Sequence, residues 1–229
     1  MPTYAKPTLV LDERRARRNI ERMTEKAARL GLRFRPHFKT HQSRRIGRLF
    51  RDLGVGAITV SSVDMAAYFA ADGWRDILIA FPVNVLEMAD IRPLSARCRL
   101  GLLVEAADGL AVLAEGIAAP VEIWIKIDIG ANRTGVDWND GPAMVRICEE
   151  AGRRPKLRLR GLLDPQRPHL RCPDAPGPRA QPRRFAAKDA AGPPAPGGRW
   201  LRGARDLRRG HAVLSPARGF RGRRRDPAG

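Results

Sequence analysis

From Leu32 to Leu163, short β-rich runs alternate with helical stretches at a spacing of roughly 20–25 residues, the period of parallel strand–helix–strand units. No other feature limits the available folds as strongly. The strand candidates are Leu32–His37, Ala57–Ser61, Asp76–Ala80, Arg99–Val104, Val121–Asp128 and Leu157–Leu163, preceded by Thr8–Asp12. Between them, apolar residues recur at helical spacing. In Glu13–Leu30 they are Ile20, Met23, Ala27 and Leu30, and Gly31 ends the run. Further helices are expected at 44–53, 63–71, 109–115 and 142–152. Six such strands without a Gly-rich phosphate loop fit a (β/α) barrel better than a dinucleotide-binding sheet. The expected fold class is therefore α/β, an incomplete (β/α)8 TIM-type barrel with about six of the eight strands. A doubly wound sheet is the alternative.

The pattern stops at Asp164. Residues 164–229 hold 11 of the 19 prolines, no Ile, Met, Tyr, Thr, Asn or Glu, and only seven Val, Leu and Phe, too few to bury a core. They carry 16 Lys and Arg against 5 Asp, so most of the formal charge of +19 belongs to this stretch and the body is only moderately basic. The expectation is a barrel-forming body, 1–163, followed by a disordered Arg/Pro/Gly-rich tail, 164–229. A nucleic-acid-binding arm is the competing reading of the tail, with RGRRR (Arg221–Arg225) as its densest part. Against it, stacking aromatics are nearly absent there: Phe185, Trp200 and Phe220.

In barrels the chemistry gathers at the C-terminal ends of the strands. RPHFKTHQ, Arg35–Gln42, follows the Leu32 strand, and its Lys39 is a candidate nucleophilic amine if Arg35, His37 and His41 lower its pKa. A plain solvated lysine is the bland alternative. His37 and His41 could instead be metal ligands, although no third ligand is evident. IDIGANRTGV, Ile127–Val136, places Arg133 in a Gly-containing turn after a strand, where a fixed guanidinium can bond an anionic oxygen. Ser61 and Ser62 in ITVSSVDMA read as a helix cap. Cys98, Cys148 and Cys172 show no metal-type spacing and an odd count, so reduced thiols in a cytoplasmic protein are expected. No apolar run of membrane length appears, and no membrane partner is expected.

Taken in order, PTLVLD, RPHFKTH, ITVSSVDMA, DILIAFPV and KIDIGANRTGV resemble the pyridoxal-phosphate-dependent enzymes with an alanine-racemase-type barrel. The likeness is greatest to the D-threonine aldolase and D-serine dehydratase family, and it covers Thr8 to Leu163. It implies that Lys39 holds pyridoxal 5'-phosphate as a Schiff base, that His37 lies near the cofactor, and that Arg133 bonds near its phenolic oxygen. It also implies that the first strand joins a C-terminal β-domain, so the barrel proper begins at Leu32. The implied function is a lyase or deaminase acting on a small D-amino acid, with a divalent metal and a homodimer in full-length members. The C-terminal metal ligands of that family are not found in this chain. A non-catalytic pyridoxal-phosphate barrel is the alternative.

The resemblance also specifies what should follow GLL at Gly161–Leu163: a pattern like THxGHxY. The chain has DPQRPHL, Asp164–Leu170. Read from the second base of each codon, Asp-Pro can spell Thr, Pro-Gln His, Gln-Arg Ser, Arg-Pro Gly, Pro-His His, His-Leu Thr and Leu-Arg Tyr. All the patterned positions are permitted together. One surplus base near codon 163 would thus turn the remainder into out-of-frame translation of GC-rich DNA, which favours Arg, Pro, Ala and Gly. On that reading the chain as written is expected to be inactive.

Overall fold

The computed structural model describes Thr8 and residues 10–164. Residues 165–229 of the expected tail, with the arm at 221–225 and Cys172, lie outside the described residues. The elements run α1 (Glu13–Arg29), α2 (Arg44–Asp52), β1 (Ile58–Val60), α3 (Val63–Ala71), β2 (Asp76–Pro82), α4 (Met88–Arg97), β3 (Arg99–Val104), α5 (Leu110–Gly116), β4 (Val121–Asp128), β5 (Val136–Asp137), α6 (Gly141–Gly152) and β6 (Leu157–Leu163). The six strands form one sheet, and every pairing is parallel: β1 to β2, β2 to β3, β3 to β4, and β4 to both β6 and β5. The α/β class and the parallel, helix-connected sheet agree with the alternation in the sequence.

Two expected strands differ. Residues 10–12 are not a strand, and Asp12 instead caps α1 by accepting the Arg15 N–H at 3.0 Å. Leu32–His37 runs alongside β1 but reaches it only through a parallel bridge between His37 and Thr59, with the Thr59 N–H donating to Pro36 O at 2.8 Å. Pro36 has no N–H to donate, which limits the ladder at this point.

Alternation along the strands sorts side chains onto two faces. Ile77 and Ile79 of β2, Leu100 and Leu102 of β3, and Ile123 and Ile125 of β4 join the core formed with the helices, which includes Phe69, Ile91, Leu113 and Ile147. The intervening residues Leu78, Leu103 and Trp124 pack on the opposite face with Ala80 and Leu163, where no helix contributes. A face lined only by strand side chains is how a barrel fills its interior. Its spacing is tight: a Cβ on Gly101 would lie 2.8 Å from Leu78 Cδ1. Both faces are apolar, so the strands read as continuous hydrophobic runs.

Toward the N-terminal end the same face carries charge in alternating sign. Arg35 binds Asp76 and donates to Ile58 O at 2.9 Å. Arg99 lies 3.7 Å from Asp76 and 2.6 Å from Glu122, which also binds Arg160 at 2.6 Å. Glu122 is the buried member, with its side chain 7% exposed. Neutralising it leaves Arg160 without a counter-charge among the described residues and Arg99 with only the longer contact to Asp76, at 3.7 Å. Because both arginines are partly exposed, the low end of the range for a broken buried pair applies. Glu122→Gln should therefore destabilise the fold by about 3 kcal/mol, read as a lower urea midpoint at unchanged m-value.

Candidate functional site

Because the strands are parallel, their C-terminal ends share one edge. That edge carries Lys39 and His37, then Ser61, Glu105, Asp128 and Asp164 as the successive strands finish.

Lys39 is the middle residue of a short 3-10 turn, Phe38–Thr40. Phe38 anchors the turn: it is fully buried and packs against Phe50, Phe69 and Trp74 with ring centroids 5.0–5.2 Å apart. Burying such a side chain stabilises by about 2 kcal/mol, so the turn is held from below while Lys39 stays exposed above it. His37 caps the turn, its Nδ1 accepting the Lys39 N–H at 3.3 Å. With Nδ1 as acceptor, the neutral ring carries its proton on Nε2. Burial, helped by the Lys39 charge, pushes the His37 pKa down to about 4. The imidazole beside Lys39 is therefore uncharged at neutral pH.

That depression has a stability consequence with a definite sign. The unfolded chain takes up the His37 proton near pH 6.5, whereas the folded chain resists it until about 4. Stability is complete above pH 6.5 and falls as the pH drops from 6.5 toward 4. His41 is depressed by burial as well and adds to the same trend. His37→Asn should flatten the pH dependence of unfolding in that window, measured by denaturant midpoints between pH 4 and 7.

The field expected around Lys39 is thinner than the sequence implied. Arg35 is committed to Asp76 and Ile58 O toward the other end of the strand. His41 points its ring into the aromatic core, 4.4 Å from Phe38, rather than toward a shared ligand with His37. Among the described residues no group of three His, Cys, Asp or Glu could hold a metal ion.

Arg133 is exposed on the loop between β4 and β5. The loop is organised by carboxylates at its base. Asp128 Oδ1 accepts the N–H groups of Gly130, Ala131 and Asn132 at 2.8–3.1 Å. Burial raises the Asp128 pKa, but these three donors outweigh it and hold the carboxyl below its ordinary range. From the end of β3, Glu105 Oε2 accepts the Gly135 N–H at 2.8 Å. Gly135 has φ +111°, and a Cβ there would lie 2.9 Å from Lys126 O, so only glycine closes this turn. His37 and Lys39 are thus in contact, whereas Arg133 reaches the same edge from a separate, independently braced loop.

Three residues at this edge escaped the sequence reading. Glu105 supplies the brace just described. Lys126 is buried within β4 and donates to Ile127 O at 2.6 Å. Asp164, 3.5 Å from Lys126, has its pKa raised by burial, and its Oδ2 is buried with no partner. The signal for the first two was the polar residue at alternate positions of VEIWIKID and the acid closing RLGLLVE. Ser62 caps α3 as expected, accepting the Met65 N–H at 3.2 Å. A cavity of about 250 Å³ opens near the ends of β1 and β2, lined by Ser61, Ser62, Phe81, Asn84 and Glu87 among others. None of Lys39, His37 and Arg133 lines it. Cys98 is buried and Cys148 half-buried, with no disulfide between them. Among the described residues no helix is long and apolar enough to cross a membrane.

The chain is similar in sequence and fold to known proteins. D-threo-3-hydroxyaspartate dehydratase of Delftia sp. (strain HT23) is 35% identical over 168 residues, 70% of this chain and 43% of that protein. Its solved structure superposes with a TM-score of 0.64. 3-Hydroxy-D-aspartate aldolase of Paracoccus denitrificans (strain Pd 1222) is 32% identical over 166 residues, 68% of this chain and 41% of its own length. The crystal structure of D-threonine aldolase from Filomicrobium marinum matches with a TM-score of 0.64 at 29% identity, covering 69% of this chain and 43% of that one. The chain thus spans about two fifths of the length of these relatives. The family described as alanine racemase, N-terminal domain, matches residues 11–191, reaching past Leu163 into residues outside those described. Fold and relatives agree with the resemblance in the sequence, and the chain belongs to the alanine racemase N-terminal domain family.

Proposed function

We propose that residues up to Leu163 are the cofactor-holding barrel of a pyridoxal-phosphate-dependent lyase for a small D-amino acid, with Lys39 as the covalent anchor. The observation carrying this reading is the exposed Lys39 amine at the strand C-terminal edge, beside a histidine that stays neutral down to about pH 4. The residues present fit the aldehyde and ring-oxygen end of that cofactor: a reachable amine, an uncharged imidazole and a permanently charged guanidinium at Arg133. When bound, pyridoxal phosphate supplies an electron sink for bond cleavage at the substrate Cα. Lys39 Nζ would be the amine that holds the cofactor. The buried Phe38 fixes the turn so that this amine stays at the edge. His37 adds no second positive charge beside it. Asp128 and Glu105 brace the loop that carries Arg133.

The substrate class follows the relatives, whose names pair a D-configured amino acid with a β-hydroxyl: 3-hydroxyaspartate and threonine. The reaction is elimination of the β-substituent or aldol cleavage. In barrels the phosphate commonly sits at the loops after strands 7 and 8. On the reading-frame argument the stretch from Asp164 onward does not encode those loops, and the chain as written is inactive.

The test has two parts. The purified chain is incubated with pyridoxal phosphate, trapped with borohydride and mapped by mass spectrometry. The pyridoxyl label is expected on Lys39 and not on Lys26, Lys126 or Lys156. A label confined to another lysine would overturn the assignment. The same protein, offered D-serine, D-threonine and D-3-hydroxyaspartate, should release neither ammonia nor aldehyde.

A further inference from the structure

We infer that His41 is a positioning residue for Lys39, locking the turn that presents the lysine onto the start of α2 through a hydrogen bond from the Ser43 N–H. The functional part of this inference rests on the reading of Lys39 above.

The two histidines of RPHFKTH do the same local work one after the other. His37 Nδ1 accepts the N–H of Lys39, two residues on, at 3.3 Å; His41 Nδ1 accepts the N–H of Ser43, two residues on, at 3.2 Å. Ser43 then caps α2, its Oγ accepting the Ile46 N–H at 3.4 Å. Between the histidines, the His41 and Gln42 N–H groups both donate to Phe38 O, and Gln42 Nε2 donates to Lys39 O. Gln42 itself has φ +45°, a left-handed conformation that a residue with a side chain holds only when its surroundings impose it. The turn is therefore defined from both sides, with His41 as the link to the helix.

The chemistry of the His41 site shows why a histidine stands there. The ring packs in an aromatic cluster, 4.4 Å from Phe38 and stacked 5.8 Å from Phe50. With Nδ1 accepting, the proton sits on Nε2, and that atom is buried with no partner. A phenylalanine would fill the same space without burying an unsatisfied donor. The histidine tolerates that cost because its other nitrogen accepts a backbone N–H that a phenyl ring would leave unpaired.

Two substitutions separate the roles. His41→Phe keeps the ring in the cluster and deletes the acceptor, whereas His41→Asn keeps an acceptor near the Nδ1 position and deletes the ring. His41→Phe should fold with an unchanged or higher thermal midpoint. Its amides from Lys39 to Ser43 should exchange faster, and borohydride trapping of pyridoxal phosphate at Lys39 should slow about tenfold, the scale of one lost hydrogen bond. His41→Asn should restore both exchange protection and trapping rate toward the parent values. Parent-like exchange and trapping in His41→Phe would overturn the inference, as would an Asn variant no better than the Phe variant. Should His41→Phe not fold, His41→Ala against His41→Asn makes the same comparison. If the parent chain takes no label at Lys39, the cofactor reading fails by itself, and the exchange comparison still decides whether His41 holds the turn.

Discussion

Lys39→Ala should reduce borohydride-trapped pyridoxyl label to background while leaving the fold intact. The other lysines among the described residues explain the expected size of the loss. Lys126 is buried and donates to Ile127 O at 2.6 Å, so its amine is already engaged inside the sheet. Lys156 lies just before β6, at the N-terminal edge of the sheet, and donates to Ile117 O at 2.9 Å. Lys26 lies in the last turn of α1, outside the sheet. Lys39 alone combines exposure with a place at the C-terminal edge, so no neighbour should substitute for it. Its backbone geometry comes from Phe38 and His37 rather than from its own side chain, so the alanine variant should keep the parent thermal midpoint and far-UV spectrum. Lys39→Arg is the sharper control. It retains the positive charge beside His37 but replaces the amine with a guanidinium that stays protonated and cannot add to an aldehyde. Equal loss of label in both variants would assign the role to the amine itself, whereas retained label in the arginine variant would remove Lys39 as the anchor.

The parts of the fold that the sequence discloses are those where one physical cause dominates. β3 and β4 keep their expected bounds because each is a largely apolar run buried on both faces, β6 keeps its own through pairing with β4, and α3 begins where Ser62 can cap it. α4 was not foreseen: Pro93 reads as a helix breaker, yet it sits inside the helix, where burial of Ile91 and Leu94 outweighs the lost backbone bond. The two-residue β5 is too short to leave a pattern. At the site, RPHFKTH disclosed the Lys39 turn because its residue types are unusual together. It also misassigned Arg35, whose partner Asp76 lies 41 positions away and is chosen by strand order, which no local pattern encodes. His41 was read as a charge or metal donor because sequence shows residue type but not direction, and its ring turns inward to Phe38. Glu105 and Asp128 act on backbone N–H groups of a distant or following loop, and such acceptors carry no residue signature.

Resequencing the DNA across the codons for Gly161 to Cys172 should reveal a neighbouring frame spelling Thr-His-x-Gly-His-x-Tyr directly after Leu163. The break at Asp164 has a physical counterpart at the end of β6. Asp164 brings a carboxyl group to the end of β6 beside Lys126 without satisfying it: Oδ2 has no partner, and Lys126 reaches only Oδ1, at 3.5 Å. Burial and the nearby Asp128 charge both push its pKa up, opposed by Lys126. A threonine, the residue spelled by the neighbouring frame, places a neutral hydroxyl there that can donate and accept. Asp164→Thr in the present chain removes that unsatisfied oxygen but also the ion-pair partner of buried Lys126, so the two effects oppose each other and the net change in stability should stay within about 1 kcal/mol. This outcome is independent of the DNA and is checked by urea unfolding. The corrected frame should go further, with the encoded protein releasing ammonia or aldehyde from a D-β-hydroxy amino acid where the present chain releases none. Codons unable to spell the pattern would remove the frame argument, and the sequence from Asp164 onward would then have to be accepted as a genuine part of this protein.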